Sequence, residues 1–364
     1  MTALGRAGGT GTASAGGPRR PGPAGRRLAG FAAAAVVIAL AAAWGSAFGQ
    51  VAAVRIGVIV LMYVALAGGW NLLGGYAGYM NFGTVLFFGV GAYATAITSA
   101  HWHLNPLATA PLAALAAVVA SLLIGVASLR LRGGYFAIAT FILTLAVQSL
   151  ALVLGLTHGA QGLFISGLGI SPIQATRVFF DLFLGLAVLA ILICWVVERT
   201  RWYSALTAIR EDEDAAEVLG VPTARYKLTA LLTGSAIAGI AGCFYAAQIF
   251  YIEPVGTFDF NISLATVVAA VIGGAGRWYG PVIGAVVTQL LAQELFVHVQ
   301  GVYSQLSYGA LLVIVVLAAP GGIAGLASRV RRRRPAAGAP PQASPPQAGA
   351  QLAAGDGSTD GSPA

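Results

Sequence analysis

Apolar residues fall in long runs separated by short polar or glycine-rich interruptions. Ten runs stand out: Leu28–Phe48, Ile56–Leu73, Phe82–Ser99, Leu107–Leu129, Tyr135–Leu154, Phe179–Val197, Leu228–Phe250, Ile262–Gly274, Pro281–Val299 and Tyr303–Ala319. Most come near or exceed the ~20 residues a helix needs to cross hydrocarbon. Ile262–Gly274 is shorter, which predicts a tilted or broken helix enclosed by protein or beside a water-filled cavity. Ala and Gly are dense in these runs, and small residues let membrane helices approach closely. The predicted fold is therefore all-α, a polytopic membrane helix bundle of about ten transmembrane segments. It occupies residues 28–328, between disordered basic tails at 1–27 and 329–364, the second of them Pro-rich.

Composition supports this and removes the soluble alternative. Charged residues make up 9% of the 364 and hydrophobic residues 58%, against about a quarter charged in soluble domains. The net charge of +8 first suggests nucleic acid, but the placement of the charges explains it otherwise. With the N-terminus inside and ten crossings, the inner segments are both tails, 74–81, 130–134, 198–227 and 275–280. They hold 18 of the 20 Lys and Arg, leaving out Arg55 and Arg177. An excess of positive charge inside sets orientation; both termini are thus expected in the cytoplasm, and no nucleic acid partner is expected. Leu28–Phe48 is longer than the core of an ordinary signal peptide and is read as a first span.

Five interruptions carry information. Gly74–Gly83 holds four glycines, with Gly89 and Gly91 close behind. Such a run favours a helix break or a close helix contact. A break at membrane depth would free backbone groups for a polar ligand, with Tyr76, Tyr79 and Asn81 as its polar side chains. Arg130–Phe136 reads as an anchored turn whose Gly pair starts a helix. Thr157–Leu163 is an outer loop, either flexible or a meeting point for a delivered solute. Thr200–Lys227 contains Glu211, Asp212, Glu213, Asp214 and Glu217. Ser204 is placed to cap a helix there, and Gly220 with Pro222 to stop it. Leu206, Ile209, Ala216 and Leu219 recur near helical spacing, which predicts an amphipathic cytoplasmic helix that docks a partner. Gly273–Gly284 is a second glycine-rich turn.

Several chemistries lack their residues. Lys227 is the only lysine and Leu228 follows it, so no Walker A loop exists. Cys194 and Cys243 lie in apolar runs and form no metal set, and His101 with His103 is better read as an interfacial turn. No nucleophile and base are paired within the spans, so neither a catalytic site nor a metal site is expected. Asp181 and Glu294 sit towards span ends, where their charge needs no special role.

The motifs Gly75-Tyr76-Ala77-Gly78, Phe87–Tyr93, Arg132–Phe136, Ala208–Glu213, Ala215–Gly220, Gly273-Gly274 with Gly280-Pro281, and Pro320–Leu326 occur in one order over residues 55–328. In this the chain resembles the permease subunits of branched-chain amino acid ABC importers, of the LivM type. The resemblance implies an inner-membrane, multi-pass importer subunit that is not itself an enzyme. It implies a second, LivH-like permease, two cytoplasmic ATPases and an extracytoplasmic substrate-binding protein as partners. No cofactor is implied for this chain, because ATP is used by the partner subunits. ATPase coupling then maps onto Arg210, Glu211, Glu213, Ala215, Ala216 and Gly220 within the loop 198–227. The translocation pathway is expected along Gly75, Tyr76, Gly78, Asn81, Gly83, Gly91 and Tyr135. Departures from the family pattern occur at Asn81 and Thr84, at His158–Leu163 and at Arg277-Trp278. They leave urea, short amides or another small solute as alternatives to leucine, isoleucine and valine. A stand-alone secondary transporter is a weaker alternative, because the spans carry few charges at their middle.

Overall fold

The computed structural model describes residues 51–298, except Ser166 and Leu168. The expected spans Leu28–Phe48 and Tyr303–Ala319, both tails and Glu294's side chain lie outside the described residues. Eight long helices correspond to the second through ninth apolar runs. They are α1 (Val51–Trp70), α2 (Thr84–Trp102), α3 (Ala110–Ser128), α4 (Gly134–Val153), α5 (Pro172–Val197), α8 (Thr223–Ile249), α10 (Phe260–Gly274) and α11 (Gly280–His298). Between α5 and α8 lie two short helices, α6 (Arg201–Glu211) and α7 (Glu213–Val218), and a single turn, α9 (Pro254–Thr257), precedes α10. Six segments are long and apolar enough to cross a membrane: Val54–Gly75, Pro106–Ser128, Gly134–Val153, Pro172–Val197, Thr223–Ile249 and Pro254–Gly274. The chain is a polytopic helical membrane protein. In the last of these segments the short run at Ile262 is lengthened by α9 across a break between Thr257 and Phe260.

Local chemistry explains the helix ends. A capping box of Ser171 and Gln174, with Pro172 at the first helical position, starts α5 seven residues before the apolar run begins. Asn105 and Pro106 start the 3-10 turn Pro106–Thr109 that leads into α3. Phe250 ends α8 in a left-handed conformation.

Close packing is made by absent side chains. A Cβ on Gly242 would overlap the carbonyl oxygen of Phe88, and one on Gly91 would overlap that of Gly239, so α2 and α8 touch backbone to backbone. On the other side of α8, Ala113, Ala117, Ser121 and Gly125 form the buried stripe of α3, where Ser235 Oγ donates to Ser121 Oγ at 2.7 Å. Gly68 of α1 meets Ala190 of α5, and Gly273 and Gly284 join α10 to α11. With lipid as apolar as any side chain, such close van der Waals contact is what holds membrane helices together.

The bundle has two ends of different character. One carries the loops after α1, α3, α5 and α10, and with them eight of the ten Lys and Arg among the described residues. At the other, β1 (Leu163–Phe164) pairs antiparallel with β2 (Tyr251–Ile252), and Tyr251 Oη donates to the Gln161 carbonyl at 3.1 Å. The outer loop at 157–163 is thereby tied to the α8–α9 connection rather than free.

Gly242→Ala is expected to lower the melting temperature of the detergent-purified protein, at a cost of about 1–3 kcal/mol for overpacking. Gly134→Ala, where a Cβ meets nothing within 4 Å, is expected to leave it unchanged; equal melting of the two variants would contradict the close α2–α8 crossing.

Candidate functional site

The polar chemistry of the basic end gathers around one helix break. Helix α1 does not stop at Trp70 but widens into a buried π-helical turn, Asn71–Gly75. A π turn leaves one residue too many for α-helical pairing and commonly marks a functional position. The chain then turns, with Gly78 at φ +76°, before α2 begins at Thr84. Backbone groups freed here need partners, since a buried orphan amide or carbonyl is costly.

Partners arrive from several other segments. Asn71 Oδ1 accepts from Gly276 N at 2.8 Å and its Nδ2 donates to the Arg277 carbonyl at 3.2 Å, which clamps the second glycine turn to the first. Arg210 of α6 donates from Nη1 to the Gly75 carbonyl at 3.1 Å, while its aliphatic part lies against Gly78. A side chain on Gly75 would overlap Asn71, and one on Gly276 would crowd Arg210. At the start of α2, Phe82 N donates to Thr140 Oγ1 of α4 at 3.1 Å, Gly83 N to Asn81 Oδ1 at 2.8 Å and Val85 N to Ser263 Oγ of α10 at 2.9 Å. Trp70 Nε1 donates to the Asn81 carbonyl at 2.8 Å, closing the break from within.

Two carboxylates complete the knot. Glu198 Oε1, just beyond α5, accepts from Tyr76 Oη at 3.1 Å and from Trp278 N at 2.5 Å, joining three segments at one atom. Burial pushes the Glu198 carboxyl up despite those hydrogen bonds, and burial likewise raises the Tyr76 hydroxyl, with Cys194 and Glu198 adding to it. Glu213, at the start of α7, accepts from Tyr79 Oη and from Lys227 Nζ, the latter at 2.5 Å. Lys227 is itself buried, and also donates to Tyr79 Oη and to the Leu129 carbonyl, both at 3.2 Å. Arg132 adds a bond to Asp214 at 2.6 Å and lies 3.7 Å from Glu213. Burial pushes the Glu213 carboxyl up, but the hydrogen bonds of Lys227 and Tyr79 and the charges of Lys227 and Arg132 outweigh it. Its net value is below the ordinary carboxylate range.

The loop itself differs from the single helix expected. Asp212 is extended and caps α7 through Ala215 N at 3.0 Å, so the chain breaks into two helices. The helix starts at Arg201 rather than at Ser204, which lies inside α6. Leu206, Ile209 and Ala216 are buried as the stripe requires, but Leu219 is 83% exposed and Val218 88%. Gly220 has φ +84° with open space around it, and the turn ends before Pro222. Glu211 and Ala215 are exposed.

Gly75, Tyr76, Gly78, Asn81 and Gly83 come together at the break, and Arg210, Glu213 and Ala216 pack against it. Tyr76, Tyr79 and Asn81 are used in internal hydrogen bonds rather than offered to a ligand. Gly91 lies apart, in the α2–α8 crossing, and Tyr135 is 76% exposed at the start of α4. Sequence reasoning missed Asn71, Glu198 and Lys227 as members of the site. Asn71 was the polar residue inside an apolar run and Lys227 the only lysine, signals that pointed to burial without naming partners.

Lys227→Met leaves the partly buried Glu213 carboxylate with only the looser Arg132 contact and is expected to cost about 1–3 kcal/mol at pH 7. Because the folded Glu213 value is depressed, the pair's contribution is complete above the unfolded glutamate value of about 4.3. It is lost as pH falls through the lower folded value. The melting difference between wild type and variant in detergent should therefore be largest at neutral pH and shrink as pH falls through the carboxylate range; a constant difference would contradict the pairing.

A family model described as "Branched-chain amino acid transport system / permease component" matches residues 52–316. The high-affinity branched-chain amino acid transport system permease protein LivM of Salmonella typhimurium is 30% identical over 315 residues, covering 79% of this chain and 73% of that protein. The corresponding LivH protein of Escherichia coli is 30% identical over 140 residues, 38% of this chain and 44% of its own. The autoinducer 2 import system permease protein LsrC of Shigella flexneri is 26% identical over 217 residues, 55% of this chain and 62% of its own. No solved structure gives a significant match. The spans, the two clasped glycine turns and these relatives agree, and the chain belongs to the family of permease components of branched-chain amino acid transport systems.

Proposed function

We propose that this chain is the permease subunit of an ATP-binding cassette importer that carries leucine, isoleucine and valine across the bacterial inner membrane. In this reading a second, LivH-like permease stands beside it. Two cytoplasmic ATPases supply the energy, and an extracytoplasmic binding protein delivers the solute. The observation that carries the reading is the two-sided build of the loop 198–227. Its inner face is locked onto the helix break, while its tip presents Val218, Leu219 and Gly220 to the outside. Two large apolar side chains at the tip of a loop on the basic end are poor in water and suit a protein socket.

The same connections give a route for force. An ATPase that grips the tip and moves shifts α6 and α7. Arg210 passes that displacement to Gly75, and Glu213 passes it to Tyr79 and Lys227. Both targets flank the break between α1 and α2, with its π turn and left-handed Gly78. Glu198 and Asn71 carry the movement on to the second glycine turn. Arg210, Glu213, Ala216 and Gly220 thus act as coupling residues, and the break as the part of the pathway that responds.

The chain, reconstituted with its second permease, ATPases and binding protein, is expected to take up leucine only with ATP and only with the ATPases present. Uptake that persists without the ATPases would overturn the importer reading, and uptake of a different small solute in place of leucine would overturn the substrate. Val218→Asp with Leu219→Asp, or Gly220→Trp, is expected to reduce co-purification of the ATPases at least tenfold while the permease still inserts. Arg210→Ala is expected to retain the ATPases but lower the leucine transported per ATP. Unchanged co-purification and stoichiometry would remove the loop from the coupling role.

A further inference from the structure

Helix α5 carries charge on a face that its own chain leaves bare. Because α5 begins at Pro172, Asp181 lies nine residues inside the helix although it is near the outer end of the span. The inner end of α5 is fixed by Glu198 and by Arg199, whose guanidinium lies 3.9 Å over the Trp195 ring, as at a membrane boundary. Counting about 30 Å of hydrocarbon outward from Val197, at ~1.5 Å per residue, reaches roughly the level of Arg177. Asp181 then sits about 6 Å below the outer boundary, one further turn into the membrane.

Arg177, Asp181 and Gly185 are spaced by four and share one exposed face of the helix. Neither charge makes an ion pair or a hydrogen bond among the described residues. A Cβ on Gly185 would meet nothing within 4 Å. Towards its inner end α5 exposes Leu189, Leu192 and Val196, as α3 exposes Leu115, Val119 and Leu123, faces suited to lipid, so the charged character is confined to the outer half of α5. A carboxylate at this depth is costly against acyl chains and belongs beside water or a protein group. Two opposite charges one turn apart, held more than 4 Å from each other and open, complement a molecule that carries both signs.

We propose that this face of α5 lines the outer half of the solute path, and that Arg177 and Asp181 receive a zwitterionic solute. The Arg177 guanidinium meets its carboxylate and the Asp181 carboxylate its ammonium, while Gly185 leaves room for the body of the solute. The assignment deepens the proposed function and rests on it for the identity of the solute, an α-amino acid. The placement of α5 against water does not depend on that identity.

The experiment uses the assembled importer in membranes. Both native cysteines, Cys194 and Cys243, are buried and give little background. Gly185→Cys is expected to react with a charged, membrane-impermeant thiosulfonate added from outside at least tenfold faster than Leu115→Cys, which is exposed at a similar depth on α3, and leucine should slow it. Equal rates would put α5 against lipid and overturn the proposal. Slow labelling together with a disulfide to a cysteine on the second permease would make the face a subunit contact, which also overturns it. In uptake, Asp181→Asn and Arg177→Gln are expected to raise the leucine KM at least fivefold, with Asp181→Glu largely restoring it. Wild-type KM in all three would remove the charges from solute recognition. A wild-type assembly that fails to import leucine would strike the substrate reading and the zwitterion role with it, leaving the labelling rates to decide the water-lined face separately.

Discussion

A helix cannot be broken inside a protein without finding new partners for the backbone it releases. That requirement organises the basic end of this molecule. Between Asn71 and Gly83 the backbone leaves regular pairing, and its freed groups are met by Arg210, Thr140, Ser263 and the side chains of Trp70 and Asn81. Each partner comes with the element that carries it. The break therefore gathers the loop 198–227, α4, α10 and the second glycine turn around itself.

The charges serve this same arrangement. Glu213 and Lys227 are fourteen residues apart in sequence and nearly dry in the fold. A buried pair of this kind contributes little net stability compared with an apolar substitute, but breaking one partner is expensive. Its effect is to fix α7 against α8 and against Tyr79 in one register. Glu198 does the same for the ends of α1, α5 and α10 by accepting from Tyr76 and Trp278 at one oxygen. Two carboxylates thus tie the loop and the break together.

Away from that end, the bundle relies on contact rather than charge. The α2–α8 and α3–α8 crossings are backbone against backbone and methyl against methyl. The opposite end is held by a two-residue strand pair and a tyrosine hydroxyl. The polar knot therefore sits at one end of a closely packed, small-residue core.

The sequence by itself determined the membrane class, eight of the helices described, the orientation signal and the family, because these follow from hydropathy, charge placement and ordered motifs along one chain. It also marked the hydrophilic loop 198–227 and the break in the helix at Gly74–Gly83. It did not show that the loop is two helices, since the extended Asp212 is set by its cap on Ala215 and by Glu213 reaching Lys227. It missed Asn71, Glu198 and Lys227 as members of one site, because their partners lie 206, 80 and 148 residues away and no periodicity reports such contacts. It did not place the start of α5, because a Ser171 capping box, not the apolar run, sets where that helix begins. Pattern along a chain gives which residues leave water. Only the tertiary structure decides which polar groups meet after they have left it, because a buried polar group must take its partner from whatever the fold brings within reach.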